Sequence, residues 1–232
     1  MTNDSSMMRR IRSFVRRDSR LTDSQNHALD AFLPQWGLTI EDGMIDFDHV
    51  FQRKAPRVLE IGFGSGASLL SVASLYPDMD FVGIETHRPG IGALLSGMQA
   101  NNLHNIRVYY ADAVEVLNQS IPDNSLDVVQ IFFPDPWPKR RHHKRRLIQP
   151  DFVLSVIKKL KPQGVIHLAT DWKHYADQMM VVLSQISNLL NQAGKGAFAE
   201  RSLHRPVVTK FEQQGQRAGR VIWELQFIKR MD

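Results

Sequence analysis

Arg57-Val-Leu-Glu-Ile-Gly-Phe-Gly-Ser-Gly66 runs from a short apolar stretch into three glycines spaced two apart. The stretch has the length of a buried strand, and the residues after it read as a helix over about 66–75. Glycines at such a junction let the chain turn tightly and bring backbone N–H groups close to a ligand. The same alternation continues towards the C-terminus. Apolar runs at 80–85 (DFVGIE), 106–112 (IRVYYAD), 126–133 (LDVVQIFF) and 164–171 (GVIHLATD) alternate with candidate helices, the clearest at about 88–102, 149–161 and 172–193. Near-continuous apolar strands separated by helices predict a parallel sheet covered on both faces. A last run, VIWELQFIKR (221–230), has no helix after it and is expected to pair antiparallel. The expected fold is α/β: a Rossmann-like doubly wound sheet, mostly parallel, with an antiparallel last strand.

Open sheets of this kind bind ligands at the carboxyl ends of their strands. Here those ends read Glu60, Glu85, Asp112, Asp135 and Asp171. One or two acids there are ordinary; five make a candidate site. The glycines alone leave its ligand open. Gly62, Gly64 and Ala67 fit a dinucleotide loop, while Glu60, Gly62, Gly64 and Gly66 fit the E-x-G-x-G-x-G form of S-adenosylmethionine-dependent methyltransferases. A plain structural turn is a third reading. Glu85, at the end of the next strand, suits the ribose hydroxyls of either cofactor. Asp112 can take a donor such as the adenine amino group. Glu60 can meet a cationic amino-acid moiety, which S-adenosylmethionine has and NAD lacks. Together these acids favour S-adenosylmethionine.

After the fourth strand comes Phe132-Phe-Pro-Asp-Pro-Trp-Pro138, followed directly by Lys139-Arg-Arg-His-His-Lys-Arg-Arg146. Prolines at 134, 136 and 138 fix φ and forbid strand or helix, so Asp135 is expected on a rigid loop. Trp137 offers a flat face for a base, and the basic run offers phosphate contacts. The charge distribution agrees. Of 29 Lys and Arg against 24 Asp and Glu, six Arg lie within 9–20 and six basic residues within 139–146, leaving an acidic body. Compact basic patches on such a body point to a polyanionic partner. Solvated surface or a targeting tail is the other reading of the first patch, and Asp4 and Asp18 count against its presequence variant.

The 232-residue chain has no cysteine, which excludes a disulfide scaffold, a Cys-ligated metal and a cysteine nucleophile. Its histidines form no recognisable metal spacing, so no metal is expected. No apolar run approaches a membrane span, and the first residues lack the apolar stretch of a secretory signal. A cytoplasmic protein without membrane contact is expected, and a monomer, since no exposed heptad demands a partner. The expected organisation is a basic arm over residues 1–34 and one domain over 35–232.

Beyond these readings, the chain resembles the bacterial-type tRNA (guanine-N7)-methyltransferases. The resemblance is carried by LEIGFGSGASLL (59–70), FVGIE (81–85), Ala111-Asp-Ala113, PDPWPKRRHHKRRL (134–147), His167-Leu-Ala-Thr-Asp-Trp172, and Thr209-Lys-Phe-Glu212 with Gly215. It covers roughly 35–230. The glycine loop is generic, whereas PDPWPK with its basic run is highly specific and TKFE is a second marker. The resemblance implies a class I methyltransferase fold and methyl transfer from S-adenosylmethionine to N7 of guanine 46 in the tRNA variable loop. It also implies that Glu60, Gly62, Gly64, Gly66, Glu85, Asp112 and Asp135 line the cofactor site, with Asp135 catalytic. Lys139, Asp171, Thr209, Lys210, Phe211 and Glu212 match the family's substrate-binding positions. Arg141, His142, His143, Lys144, Arg145 and Arg146 match its RNA-contacting run.

Three other readings are weighed against this one. A non-catalytic RNA-binding module needs neither the glycine loop nor five strand-end acids. An NAD-dependent oxidoreductase lacks an evident hydride-site partner and leaves KRRHHKRR without a task. A methyltransferase for another substrate is opposed only by the PDPWPK and TKFE segments.

Overall fold

A computed structural model describes residues 20–231 except 203, 204 and 209, with the backbone alone at 210 and 211. Its strands are β1 (Gly37–Leu38), β2 (Arg57–Ile61), β3 (Asp80–Glu85), β4 (Ile106–Tyr110), β5 (Leu126–Phe132), β6 (Leu160–Thr170), β7 (Leu189–Asn191) and β8 (Trp223–Lys229). They form one sheet of order β1-β4-β3-β2-β5-β6-β8-β7. Pairing is parallel except at β8, which runs antiparallel to both β6 and β7. The mostly parallel doubly wound sheet and its reversed last strand are thus as the sequence predicts.

The helices are α1 (Asp23–Trp36), α2 (Phe47–Phe51), α3 (Ala67–Leu75), α4 (Arg88–Ala100), α5 (Ala113–Gln119), α6 (Pro150–Lys159), α7 (Lys173–Ser184) and α8 (Lys210–Arg217). Successive strand residues point to opposite faces, so each strand feeds two cores. Val58, Phe81, Ile106 and Val108 pack with Leu29 of α1, Leu69 of α3 and Leu94 of α4. Leu59, Val82, Val129 and Ile166 pack on the other side with Leu117 of α5, Val156 of α6 and Met179 of α7. Between β2 and β5 the order of strands changes direction. That is where such a sheet opens a crevice at its carboxyl edge.

Two elements depart from expectation. The boundary expected between residues 34 and 35 falls inside α1, which begins at a capping box. Thr22 Oγ1 accepts from the Gln25 N–H at 3.2 Å, and Gln25 Oε1 accepts from the Thr22 N–H at 3.0 Å. Ala28, Leu29 and Trp36 are buried, and α4 approaches so closely that a methyl group at Gly92 would lie 2.8 Å from the Gln25 carbonyl oxygen. The earlier part of the expected arm, residues 1–19, lies outside the described residues. The helix expected over 172–193 stops at Ser184, and residues 189–191 form β7 on the free edge of β8. Pairing there satisfies the N–H and C=O groups along the outer edge of β8, which would otherwise be left unpaired. Among the described residues no helix is long and apolar enough to cross a membrane.

Candidate active site

The sheet order brings β4, β3, β2, β5 and β6 side by side, so Asp112, Glu85, Glu60, Asp135 and Asp171 follow one another along its carboxyl edge. Asp135 sits three residues past β5, and the others end their strands or lie within two residues of the end. The five strand-end acids are therefore neighbours in space by topology.

The glycine loop joins β2 to α3 with Gly62, Gly64 and Gly66 at φ of 79°, 60° and 77°. Three left-handed residues within five positions explain the glycines. At Gly66 space adds a second reason, since a methyl group there would meet Leu94 at 2.7 Å. Gly66 is the N-cap of α3, and no side chain caps that helix, which leaves its first N–H groups to solvent or a ligand. Glu85 holds the loop in shape: its carboxylate accepts from the N–H groups of Gly64 (2.8 Å), Thr86 (2.6 Å) and His87 (3.0 Å). A fourth glycine belongs to this construction and was not singled out in the sequence. A methyl group at Gly90 would lie 2.0 Å from the Gly64 carbonyl oxygen, so α4 abuts the loop. Its signal is Pro89-Gly90 in the first turn of a predicted helix, where glycine serves no helical purpose.

Glu60 is 3% exposed and, among the described residues, pairs with no cation. Burial, reinforced by the negative charge of Glu85 and opposed by a hydrogen bond from Gln130, raises its pKa to about 8. A buried carboxyl of this kind stays neutral until a positive group arrives. The residues therefore fit a ligand that brings a cationic group over an open glycine turn; nothing lies within 4 Å of where a Gly62 side chain would start. Asp112 caps α5 by accepting from the Val114 N–H at 2.9 Å. It also borders a cavity of about 800 Å³ shared with Leu38, Tyr110 and Glu115.

Past β5 the chain turns through two strained residues, Phe133 at φ 52° and Trp137 at φ 44°. Bulky residues rarely adopt this conformation, and it concentrates at functional sites. Between them, Pro134-Asp-Pro136 presents Asp135 at an exposed position. Residues Arg140–Arg145 then form a 3-10 helix with Lys139 at its N-cap. Lys139, Arg141 and Lys144 are exposed. Arg145 lies over the Trp137 ring at 4.9 Å and His142 meets the same ring edge-on at 5.8 Å, so Trp137 already orients two members of the run. Partial desolvation and the flanking cations lower the pKa of His142 and His143.

Arg146 departs from the rest of the expected RNA-contacting run. It is 2% exposed, donates to the Pro136 carbonyl (2.9 Å) and Gln178 Oε1 (2.5 Å), meets His174 Nδ1 (3.1 Å), and lies over Tyr175 at 4.8 Å. Its task is to brace the Pro-Asp-Pro loop from beneath. Arg146 caps the 3-10 turn at its C-terminus, where the chain leaves the turn and meets α7.

The C-terminal marker also divides. Thr209 lies outside the described residues, and Lys210 and Phe211 begin α8 as backbone. Glu212 is 1% exposed, bound to Arg201 Nη1 at 2.6 Å and to Arg205. In this structure it faces the interior, paired with two arginines. Asp171 is more open: Arg220 Nε lies 3.0 Å from its Oδ2, and Gly215 of α8 sits against it. Among the described residues no cluster of His, Asp and Glu could hold a metal ion.

Comparison with known proteins agrees with this architecture. A family model described as "Putative methyltransferase" matches residues 54–225. The tRNA (guanine-N(7)-)-methyltransferase of Pseudomonas savastanoi pv. phaseolicola is 52% identical over 95% of this chain and 90% of its own. The corresponding protein of Alcanivorax borkumensis is 51% identical over 97% and 93%. In three dimensions the 16S rRNA methyltransferase KamB matches 81% of this chain and 95% of its own, with a TM-score of 0.58 at 13% identity. A likeness at that identity supports the class I methyltransferase fold alone. The full-length matches go further: half the residues are shared from end to end, and the chain belongs to the tRNA (guanine-N7)-methyltransferase family.

Proposed function

We propose that the enzyme methylates N7 of guanine 46 in the variable loop of tRNA. The observation that carries this reading is the placement of the rigid Asp135 loop, with strand-end acids on one side and a cation-bearing 3-10 turn on the other. S-adenosylmethionine, a sulfonium, supplies an already activated methyl group when bound. Glu60 would meet its ammonium group, and the Gly62–Gly66 turn would admit its amino-acid end. Glu85 and Asp112 would take ribose and adenine donors. Three backbone N–H groups already occupy Glu85, so ribose hydroxyls would share its remaining lone pairs.

The guanine side follows from charge. N7 carries a free lone pair and no proton, so the protein need not supply a general base. What remains is alignment, which can contribute about 7–11 kcal/mol, and stabilisation of the positive charge that develops on the purine. Asp135 and Asp171 serve both needs by accepting from guanine N1–H and the N2 amino group. Arg220 holds Asp171 in place until then. Lys139, Arg141, Lys144 and Arg145 bind phosphates, with the two histidines between them. Thr209 and Lys210 join the substrate side on the resemblance alone.

Methyl transfer from labelled S-adenosylmethionine to unmodified tRNA, followed by nucleoside analysis, tests the reading. Label is expected as 7-methylguanosine in the variable loop, with turnover reduced at least tenfold in both Asp135→Ala and Asp171→Ala, about one hydrogen-bonded charge's worth. Label at another nucleoside, or near-normal turnover in both variants, would overturn it.

A further inference from the structure

One buried cluster joins His167 and Glu212, each from a sequence marker, to two residues outside the markers. Arg205, Glu212, Glu224 and His167 are all buried, with Arg205 at 1% exposure. The Arg205 guanidinium divides its donors between two carboxylates. Nε and Nη2 reach Glu224 of β8 at 3.1 and 3.3 Å. Nη1 and Nη2 reach Glu212 of α8, the latter at 3.3 Å. Glu224 also meets His167 Nε2 of β6 at 2.7 Å and accepts from the Ser202 N–H at 3.3 Å. Burial opposes ionisation of Glu224, yet the hydrogen bonds from His167 and Arg205 hold its pKa below the usual value. From the far side Arg201 binds both Glu212 Oε1 (2.6 Å) and the Arg205 carbonyl oxygen (2.9 Å).

The guanidinium has a third neighbour. It lies 5.7 Å from the ring of Phe132 and 5.6 Å from that of Phe133. Phe133 is the strained residue that leads into Pro134-Asp135, and its N–H is tied to the Ala169 carbonyl at 2.8 Å. On the opposite side, the helix held by Glu212 presses Gly215 against Asp171: a methyl group there would lie 2.9 Å from Oδ2. One side chain thus touches the element that carries the Asp135 loop and the residue that fixes the helix over Asp171.

We infer that Arg205 is a positioning residue for methyl transfer, setting the Asp135 loop and α8 relative to each other, and that Glu212 acts through Arg205 and not on the guanine. The inference rests on the proposed function, since it concerns the two acids assigned there to the base. Arginine is required because a flat fork can bind two carboxylates and face two rings at once; the compact ammonium of lysine cannot. A buried pair that loses one partner leaves an uncompensated charge, so the assembly acts as a unit.

The test compares wild type, Arg205→Lys, Glu212→Gln and the double variant in single-turnover transfer to unmodified tRNA, well below each melting temperature. Misplacing reacting groups by about 1 Å can cost about 10²-fold. Arg205→Lys is expected to lose rate on that scale while its Kd values for S-adenosylmethionine and tRNA stay close to wild type. The double variant is expected to be no slower than the slower single variant, as for residues in one network. Rate losses that multiply would show that Glu212 acts on its own and overturn the inference. So would a folded Arg205→Lys enzyme of wild-type rate. Should Arg205→Lys fail to fold, Phe133→Leu keeps every ion pair and removes one ring. A rate loss with both Kd values kept then supports the role, and a wild-type rate overturns it. Wild-type protein that transfers no methyl group to guanine N7 would overturn the assigned reaction, and this role with it; multiplying losses beside an active wild type overturn the role alone.

Discussion

Glu60 shows how much one side chain's surroundings decide. In the folded protein it keeps its proton to about pH 8, against 4.5 as the ordinary value, because burial and the Glu85 charge both oppose ionisation. The folded chain therefore binds more protons than the unfolded one throughout that window. The contribution to stability is full below 4.5 and is lost as pH rises towards 8, by on the order of 1 kcal/mol per pH unit. Melting temperatures of the ligand-free wild type and Glu60→Gln across the window should diverge, with the wild type falling and the variant flatter. Parallel curves would mean that Glu60 is already ionised. Under the proposed function the ammonium of S-adenosylmethionine reverses the balance, so binding near neutral pH should release close to one proton. Calorimetry in two buffers of different ionisation enthalpy measures this, and no release would separate Glu60 from the ammonium. The type and place of this residue were legible, since an acid before a glycine turn at a strand end is a sequence pattern. Its protonation was not, because it depends on Gln130 and Glu85, which only the sheet brings beside it.

At the scale of elements, the basic run and the glycine loop teach opposite lessons about what a sequence displays. Eight consecutive polar residues from Lys139 carry no periodicity, so nothing along the chain distinguishes Arg145 from Arg146. Packing on α7 does: one stays at the surface over Trp137, and the other is enclosed beneath the loop. Arg145→Ala should weaken tRNA binding and reduce the slope of log K against log salt by about 0.7–0.9, one phosphate contact. Arg146→Ala should leave that slope unchanged and lower the melting temperature instead, because the Pro136 carbonyl and Gln178 lose a charged donor, at a cost of about 1.5–3 kcal/mol. Equal salt slopes and equal stabilities in the two variants would return Arg146 to the RNA surface. The loop, by contrast, advertised Gly62, Gly64 and Gly66 through spacing alone. Gly90 left only the fainter mark of a glycine in a helix's first turn, since its partner is a carbonyl oxygen more than twenty residues away in sequence. Gly90→Ala should push α4 off the loop, lowering the melting temperature and weakening S-adenosylmethionine binding together. A loss of stability with full cofactor affinity would mean that the loop does not depend on α4.

Across the whole molecule, the fold was legible because each βα junction repeats the same signal: a short apolar run, then an acid at its end. Less legible were the pieces whose reason is tertiary. Residues 189–191 become a strand only because β8 offers a free edge, and α1 extends through Pro34 to Trp36 because α4 provides its partner surface. Charge is organised at this scale too. An acidic body with two compact basic runs concentrates its attraction for a polyanion, and such attraction is mostly counterion release from phosphates. Residues 9–20 carry six Arg, five of them within 1–19, whereas the capping box of α1 starts only at Thr22. Deletion of residues 1–19 should therefore leave the melting temperature and S-adenosylmethionine affinity near their full-length values. It should lower tRNA affinity and make the salt dependence shallower by about 0.7–0.9 for each Arg that neutralises a phosphate. Filter binding over a salt series reads both quantities. An unchanged slope would assign all phosphate contact to the turn at 139–145, and a fall in cofactor affinity would mean that the deleted residues serve the other side of the site.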